Sequence, residues 1–140
     1  MLTQKAKYAI KALTYLAQQG RLTRTVDIAD NARIPKKFLE SILLELKRHQ
    51  LVASVQGSLG GYYLLKDPGH ISLAAVYRLF EGPIALIPCA SEKFYKPCSD
   101  CPDEKSCTIR LAMIQVRDQT LAALEAITIK KLVGGEESAF

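Results

Sequence analysis

Two short β-prone runs, Leu51-Val52-Ala53-Ser54-Val55 and Gly61-Tyr62-Tyr63-Leu64-Leu65, flank the glycine-rich stretch Gln56-Gly57-Ser58-Leu59-Gly60. Runs of that kind around a glycine loop predict a β-hairpin. Helical periodicity fills the residues before it and returns after it, which leaves the hairpin as a small addition to a helical body. The fold class that follows is mainly α with a small β-hairpin wing.

Thr3 is placed to cap a first helix, in which Ala6, Ala9, Ile10, Leu13, Leu16 and Ala17 recur at three- and four-residue spacing up to Gly20. A polar connector, residues 21–24, leads to Thr25 and a short second helix with Val26, Ile28, Ala29 and Ala32. Arg33-Ile34 reads as a turn, and Pro35 as the first position of a third helix. There Phe38, Leu39, Ile42, Leu43 and Leu46 are expected to face inward, with the end near Gln50. After the hairpin, Asp67-Pro68-Gly69 makes a turn, and Ser72 caps a fourth helix that stops at Gly82-Pro83. Three helices followed by a hairpin have the order of a winged helix-turn-helix, so residues 1–82 read as a DNA-binding region. The third helix suits a major groove about 12 Å wide, and the hairpin loop suits the neighbouring backbone or minor groove.

Residues 83–106 hold four prolines, all four cysteines and no periodicity. A loop of that length without secondary structure points to function. From Thr108 to about Val133 helical periodicity returns with two apolar faces. Leu111, Ile114, Leu121, Leu124 and Leu132 form one, and Met113, Val116 and Ile127 the other. One face is expected on its own domain and the other on a second subunit, which makes residues 107–133 a dimerisation helix and the chain a homodimer. Residues 134–140 read as a flexible tail.

Net charge is +5, and its distribution says more than its size. Residues 1–50 hold ten Lys/Arg against four Asp/Glu, and the remainder nine against ten. The positive excess therefore lies in the winged segment, where it would concentrate phosphate, and double-stranded DNA is the expected partner. Lys36, Lys37, Glu40 and Ser41 fall at the groove-facing start of the third helix. Thr25 begins the second, and Gln56, Ser58 and Gly60 belong to the wing. No apolar run approaches the roughly twenty residues of a membrane span. The opening residues carry no secretory signal, so the expected location is cytoplasmic, without a membrane partner. There, cysteines favour metal or redox chemistry over structural disulfides.

Cys89, Cys98, Cys101 and Cys107 are separated by eight, two and five residues. Four thiols in one irregular loop suit a soft metal or a cluster, and spacing alone leaves iron–sulfur and zinc level. His49 and His70 stand apart from them and read as structural or surface residues. No nucleophile triad order, phosphate-binding glycine loop or HExxH pattern occurs, so nothing points to an enzyme. The rival to a regulator is a zinc- or thiol-based interaction protein that keeps a winged-helix scaffold without a cluster.

Gln4-Lys5-Ala6-Lys7-Tyr8-Ala9, Ile28-Ala29, Pro35-Lys36-Lys37-Phe38-Leu39-Glu40, the wing from Ser54 to Tyr62 and the cysteine loop before a long helix carry a resemblance. Over roughly residues 1–133 the chain resembles the Rrf-type bacterial winged-helix transcriptional regulators (IscR-, NsrR-, RirA- and CymR-like). The resemblance implies a dimeric regulator, a repressor first of all, on a palindromic operator, whose long C-terminal helices cross at the dimer interface. It also implies an iron–sulfur cluster, two-iron, two-sulfur ahead of four-iron, four-sulfur, held by Cys89, Cys101 and Cys107. Such a cluster, exposed on its loop, would sense cluster supply, iron, nitric oxide or redox state. Cys98 is then additional, as a fourth ligand or a bystander. Two departures stand out. Gln56 occupies the wing position where the family usually has arginine, and Arg110 the position where IscR-type members have a histidine ligand.

Overall fold

The structure is a computed structural model that describes residues 2–135. Of the expected tail, residues 136–140 lie outside the described part. Helix α1 spans Gln4–Gln19. The Thr3 hydroxyl accepts from the Ala6 amide at 3.3 Å, and Gly20, at φ 60°, closes the far end in the left-handed conformation that glycine adopts without steric cost. Ala6, Ala9 and Ala12 on its inner face are fully buried, and small side chains there let neighbouring helices approach closely.

α2 (Thr25–Ala32) and α3 (Lys36–Arg48) follow. Arg33 makes the turn between them at φ 52°, a conformation that costs a non-glycine residue energy. Pro35 caps α3 from just outside the helix rather than occupying its first position. Leu39, Ile42, Leu43 and Leu46 are fully buried, but Phe38 is 52% exposed, contrary to expectation. The buried stripe of α3 is complete without it. Phe38 lies at the stripe's edge, where Tyr8 meets its ring edge-on at 6.1 Å.

The hairpin forms as expected, with β1 (Val52–Val55) antiparallel to β2 (Gly61–Leu64) and Val52 opposite Leu64. The α1–α2 connector adds a single bridge to it. Thr23 and Tyr62 exchange backbone hydrogen bonds of 2.9 and 2.8 Å. A Cβ on Gly61 would sit 2.2 Å from the Thr23 carbonyl oxygen, so this contact needs glycine. α4 (Leu73–Glu81) starts on the expected Ser72 cap. At its other end Glu81 accepts from the Thr3 amide at 2.8 Å and the Thr3 hydroxyl at 2.6 Å, which ties α4 to the start of α1.

The expected single helix from residue 108 to about 133 is two helices, α5 (Thr108–Ala126) and α6 (Ile129–Gly134). Between them Ile127 and Thr128 are extended. The Leu73 amide donates to the Ile127 carbonyl at 2.8 Å, and the Ile129 amide to the Ile71 carbonyl at 2.9 Å. Ile127-Thr128-Ile129 is a β-branched run that favours extended backbone, and Thr128 caps α6 through Lys131. Ile129 is fully buried in the core, and Leu132 packs against it. These residues therefore serve the winged-helix body. α5 packs against α4 and the Pro88–Ala90 turn, with none of its residues buried.

Candidate DNA-binding face and cysteine loop

The starts of α2 and α3 converge on the wing and leave a concave surface between them. Arg24, Thr25, Lys36, Gln56, Ser58 and Gly60 line it. Five of the eight residues singled out for DNA thus share one concavity. Lys37, Glu40 and Ser41 are exposed on α3 beside it, with the Ser41 hydroxyl donating to the Phe38 carbonyl at 2.9 Å. Gly57 turns the wing at φ 108°. A Cβ on Gly60 would meet the Val55 carbonyl at 2.1 Å, so this loop position is also closed to larger residues. Lys47 donates to the Ser54 hydroxyl at 2.6 Å and fixes the wing against the end of α3.

Sequence reasoning missed Arg24, whose guanidinium makes two bonds to Asp27, of 2.8 and 3.0 Å. That pairing raises the arginine's pKa and holds the Asp27 carboxyl below its usual range. The i,i+3 spacing of opposite charges was the available signal. His49 caps the end of α3, with its Nε2 3.5 Å from Glu45, and His70 is exposed in a short 3-10 turn, Pro68–His70.

The cysteine loop is irregular apart from one 3-10 turn, Pro88–Ala90. Contrary to the expectation of an exposed site, Cys89 is buried, at 4% exposure. α5 grips this turn: Arg110 Nε donates to the Cys89 carbonyl at 3.0 Å, and Arg117 donates to the Ala90 carbonyl at 2.6 Å. Arg110, unable to ligate, thus has a structural partner. Cys98 is exposed, and its sulfur lies 3.7 Å from that of Cys89. The Cys98 thiol is pushed up by that hydrogen bond. Desolvation, and then a hydrogen bond with Cys107, raises Cys101. Cys107 itself caps α5, its sulfur accepting from the Arg110 amide at 3.5 Å.

A family model described as "Rrf2: Iron-dependent Transcriptional regulator" matches residues 2–135. The chain belongs to the Rrf2 family. It is a transcriptional regulator and not an enzyme. Among its Rrf2 relatives, an HTH-type transcriptional regulator rrf2-like protein of Rhodobacter capsulatus is 41% identical over 138 residues, covering 95% of this chain and 92% of that one. NsrR of Shouchella clausii is 28% identical, covering 97% and 90%. Among solved structures, CymR, the global cysteine regulator of B. subtilis, superposes with a TM-score of 0.77 at 24% identity over 98% of each chain. T. potens IscR gives 0.73 at 22% identity, covering 100% of this chain and 91% of that one. These likenesses bear out the mainly α, winged-helix fold.

Thiols are the donors an iron–sulfur cluster or zinc takes, so the donor chemistry of this Rrf2 chain fits. Their arrangement falls short of it. Among the described residues no three His, Cys, Asp or Glu side chains gather where one metal ion could be held. Two of the sulfurs instead form a pair, Cys89 with Cys98. Among the described residues no helix is long and apolar enough to cross a membrane.

Proposed function

We propose that this Rrf2 chain is a homodimeric, sequence-specific DNA-binding repressor that reads iron–sulfur cluster status, iron, nitric oxide or redox state through its cysteine loop. The observation that carries the DNA-binding part is the concave face that Arg24, Thr25 and Lys36, from the basic first third of the chain, form with the wing. α3 enters a major groove. Lys36 and Lys37 meet phosphate or guanine edges, Glu40 accepts from cytosine N4, and Ser41 pairs with either kind of base edge. Thr25 meets the backbone at the start of α2, while Gln56, Ser58 and Gly60 bring the wing to the adjoining phosphates.

α5 supports the dimer, because it leaves Ile109 and Val116, which share one face at i,i+7 spacing, 67% and 38% exposed on a helix none of whose residues is buried. A second copy on the same face gives an isologous contact and two recognition helices, and hence a palindromic operator. In the sensing loop Cys89, Cys101 and Cys107 would hold a cluster, two-iron, two-sulfur ahead of four-iron, four-sulfur, with Cys98 as fourth ligand or bystander. When bound, the group would supply redox and ligand-exchange chemistry. The chain's part is to anchor Cys89 through Arg110 and Cys107 through the start of α5. The all-thiol donor set and the family's iron-dependent description support this reading. The pairing of Cys89 with Cys98 favours the second one, in which the loop works by zinc or thiol chemistry without a cluster.

Footprinting on the promoter of the chain's own operon, with protein prepared without oxygen and analysed for iron and sulfide, tests both parts. A protected palindrome with stoichiometric iron and sulfide is expected. Unprotected DNA overturns the regulator on this promoter. Colourless protein with stoichiometric zinc and no sulfide, which cannot be reconstituted, overturns the cluster.

A further inference from the structure

Among the four thiols, Cys89 and Cys98 have the geometry that one small movement turns into a bond. Their sulfurs are 3.7 Å apart, and a disulfide needs about 2.05 Å. Only one side has to move. Cys89 is buried in the Pro88–Ala90 turn, whose carbonyls Arg110 and Arg117 hold. Cys98 is exposed in irregular chain, as are residues 92–97 before it. Cys107 is placed differently, because its sulfur is engaged as the cap of α5.

We infer that Cys89 and Cys98 form a reversible redox dithiol in the metal-free chain, with Cys98 as the thiol that meets the oxidant and Cys89 as the one that resolves it. With a small disulfide such as oxidised glutathione, the Cys98 thiolate attacks one sulfur of the oxidant and expels one thiolate. The Cys89 thiolate then attacks the Cys98 sulfur of the mixed disulfide and expels the second. Two protein thiols lose two electrons and two protons, and the oxidant becomes two thiols. The bond occupies Cys89 and fastens the segment through residue 98 to the turn that α5 grips. Oxidation therefore blocks metal loading at this loop, a consequence that rests on the ligand set proposed above, whereas the disulfide itself does not.

Trypsin mapping separates the outcomes, because Cys89 falls in the peptide 79–93, Cys98 and Cys101 in 94–105, where the Lys96–Pro97 bond resists cleavage, and Cys107 in 106–110. Full-length metal-free protein treated with oxidised glutathione is expected to yield 79–93 joined to 94–105. The product should survive in Cys101→Ala, disappear in Cys98→Ala and be reversed by dithiothreitol. A bond confined to Cys98–Cys101 or Cys101–Cys107, or stable glutathione adducts with no internal bond, overturns the inference. Reconstitution with iron and sulfide before and after oxidation reads the proposed ligand set separately. Failure of the reduced protein to take up either counts against the cluster, while the peptide map still decides the disulfide.

Discussion

At the scale of single residues, the Thr3–Glu81 contact sets a pH dependence. Hydrogen bonds from the Thr3 hydroxyl and amide hold the Glu81 carboxyl below its ordinary value of 4.5. Because the folded pKa is depressed, this stabilisation is present above the unfolded value and is lost as pH falls through the folded one. Asp27 beside Arg24 and Asp103 beside Ser106 act in the same direction. Thermal melts from pH 7 down to pH 3 are expected to show stability falling on the acid side of 4.5, with a shallower fall in Glu81→Gln. An equal acid limb in that variant would show that the contact contributes nothing. Lys36 acts on the partner instead. It lies at the start of α3 in the concave face, so Lys36→Ala is expected to weaken binding to operator and unrelated DNA alike. The slope of log affinity against log salt should fall by about 1. Loss restricted to the operator would make Lys36 a base reader.

At the scale of elements, much of the body was legible and one break was not. Thr3 and Ser72 cap α1 and α4 as their hydroxyls suggested, Gly20 ends α1, and the hairpin brackets its glycine loop. All of these are local decisions, made within a few residues by capping chemistry and backbone freedom. The division of the last helix is not local. Leu124 and Leu132 continue a helical spacing, so periodicity runs on through the break, while the hydrogen bonds that open it come from Ile71 and Leu73. The β-branched run at 127–129 was the one cue in the chain. Ile129→Ala tests the consequence. It removes a fully buried side chain from the core and is expected to cost about 2–5 kcal/mol in urea unfolding. A loss below half a kcal/mol would mean that α6 contributes little to the body. The sulfur pairing was illegible for a different reason. Spacing counts residues along an irregular loop, whereas which thiols meet depends on the path that Arg110 and Arg117 impose on it.

At the scale of the whole molecule, a winged body carries one long helix none of whose residues it buries. α6 returns to α1 and closes the body, which leaves the apolar surface of α5 as the part a single chain does not cover. Ile109→Asp places a charge on that surface without touching the core. It is expected to give a folded monomer in sedimentation whose operator affinity is reduced, because two half-sites can no longer be engaged together. A wild-type protein that sediments as a monomer at micromolar concentration would contradict the dimer outright. The central claim is that the face formed by α2, α3 and the wing binds specific DNA. Its most direct test is an equilibrium titration of the own-operon promoter and of an unrelated fragment of equal length, each at a low and a high salt concentration. Tight binding of the promoter, a clear preference over the unrelated fragment and a steep loss of affinity with salt are predicted. Weak binding to both fragments, unchanged by salt, would contradict it.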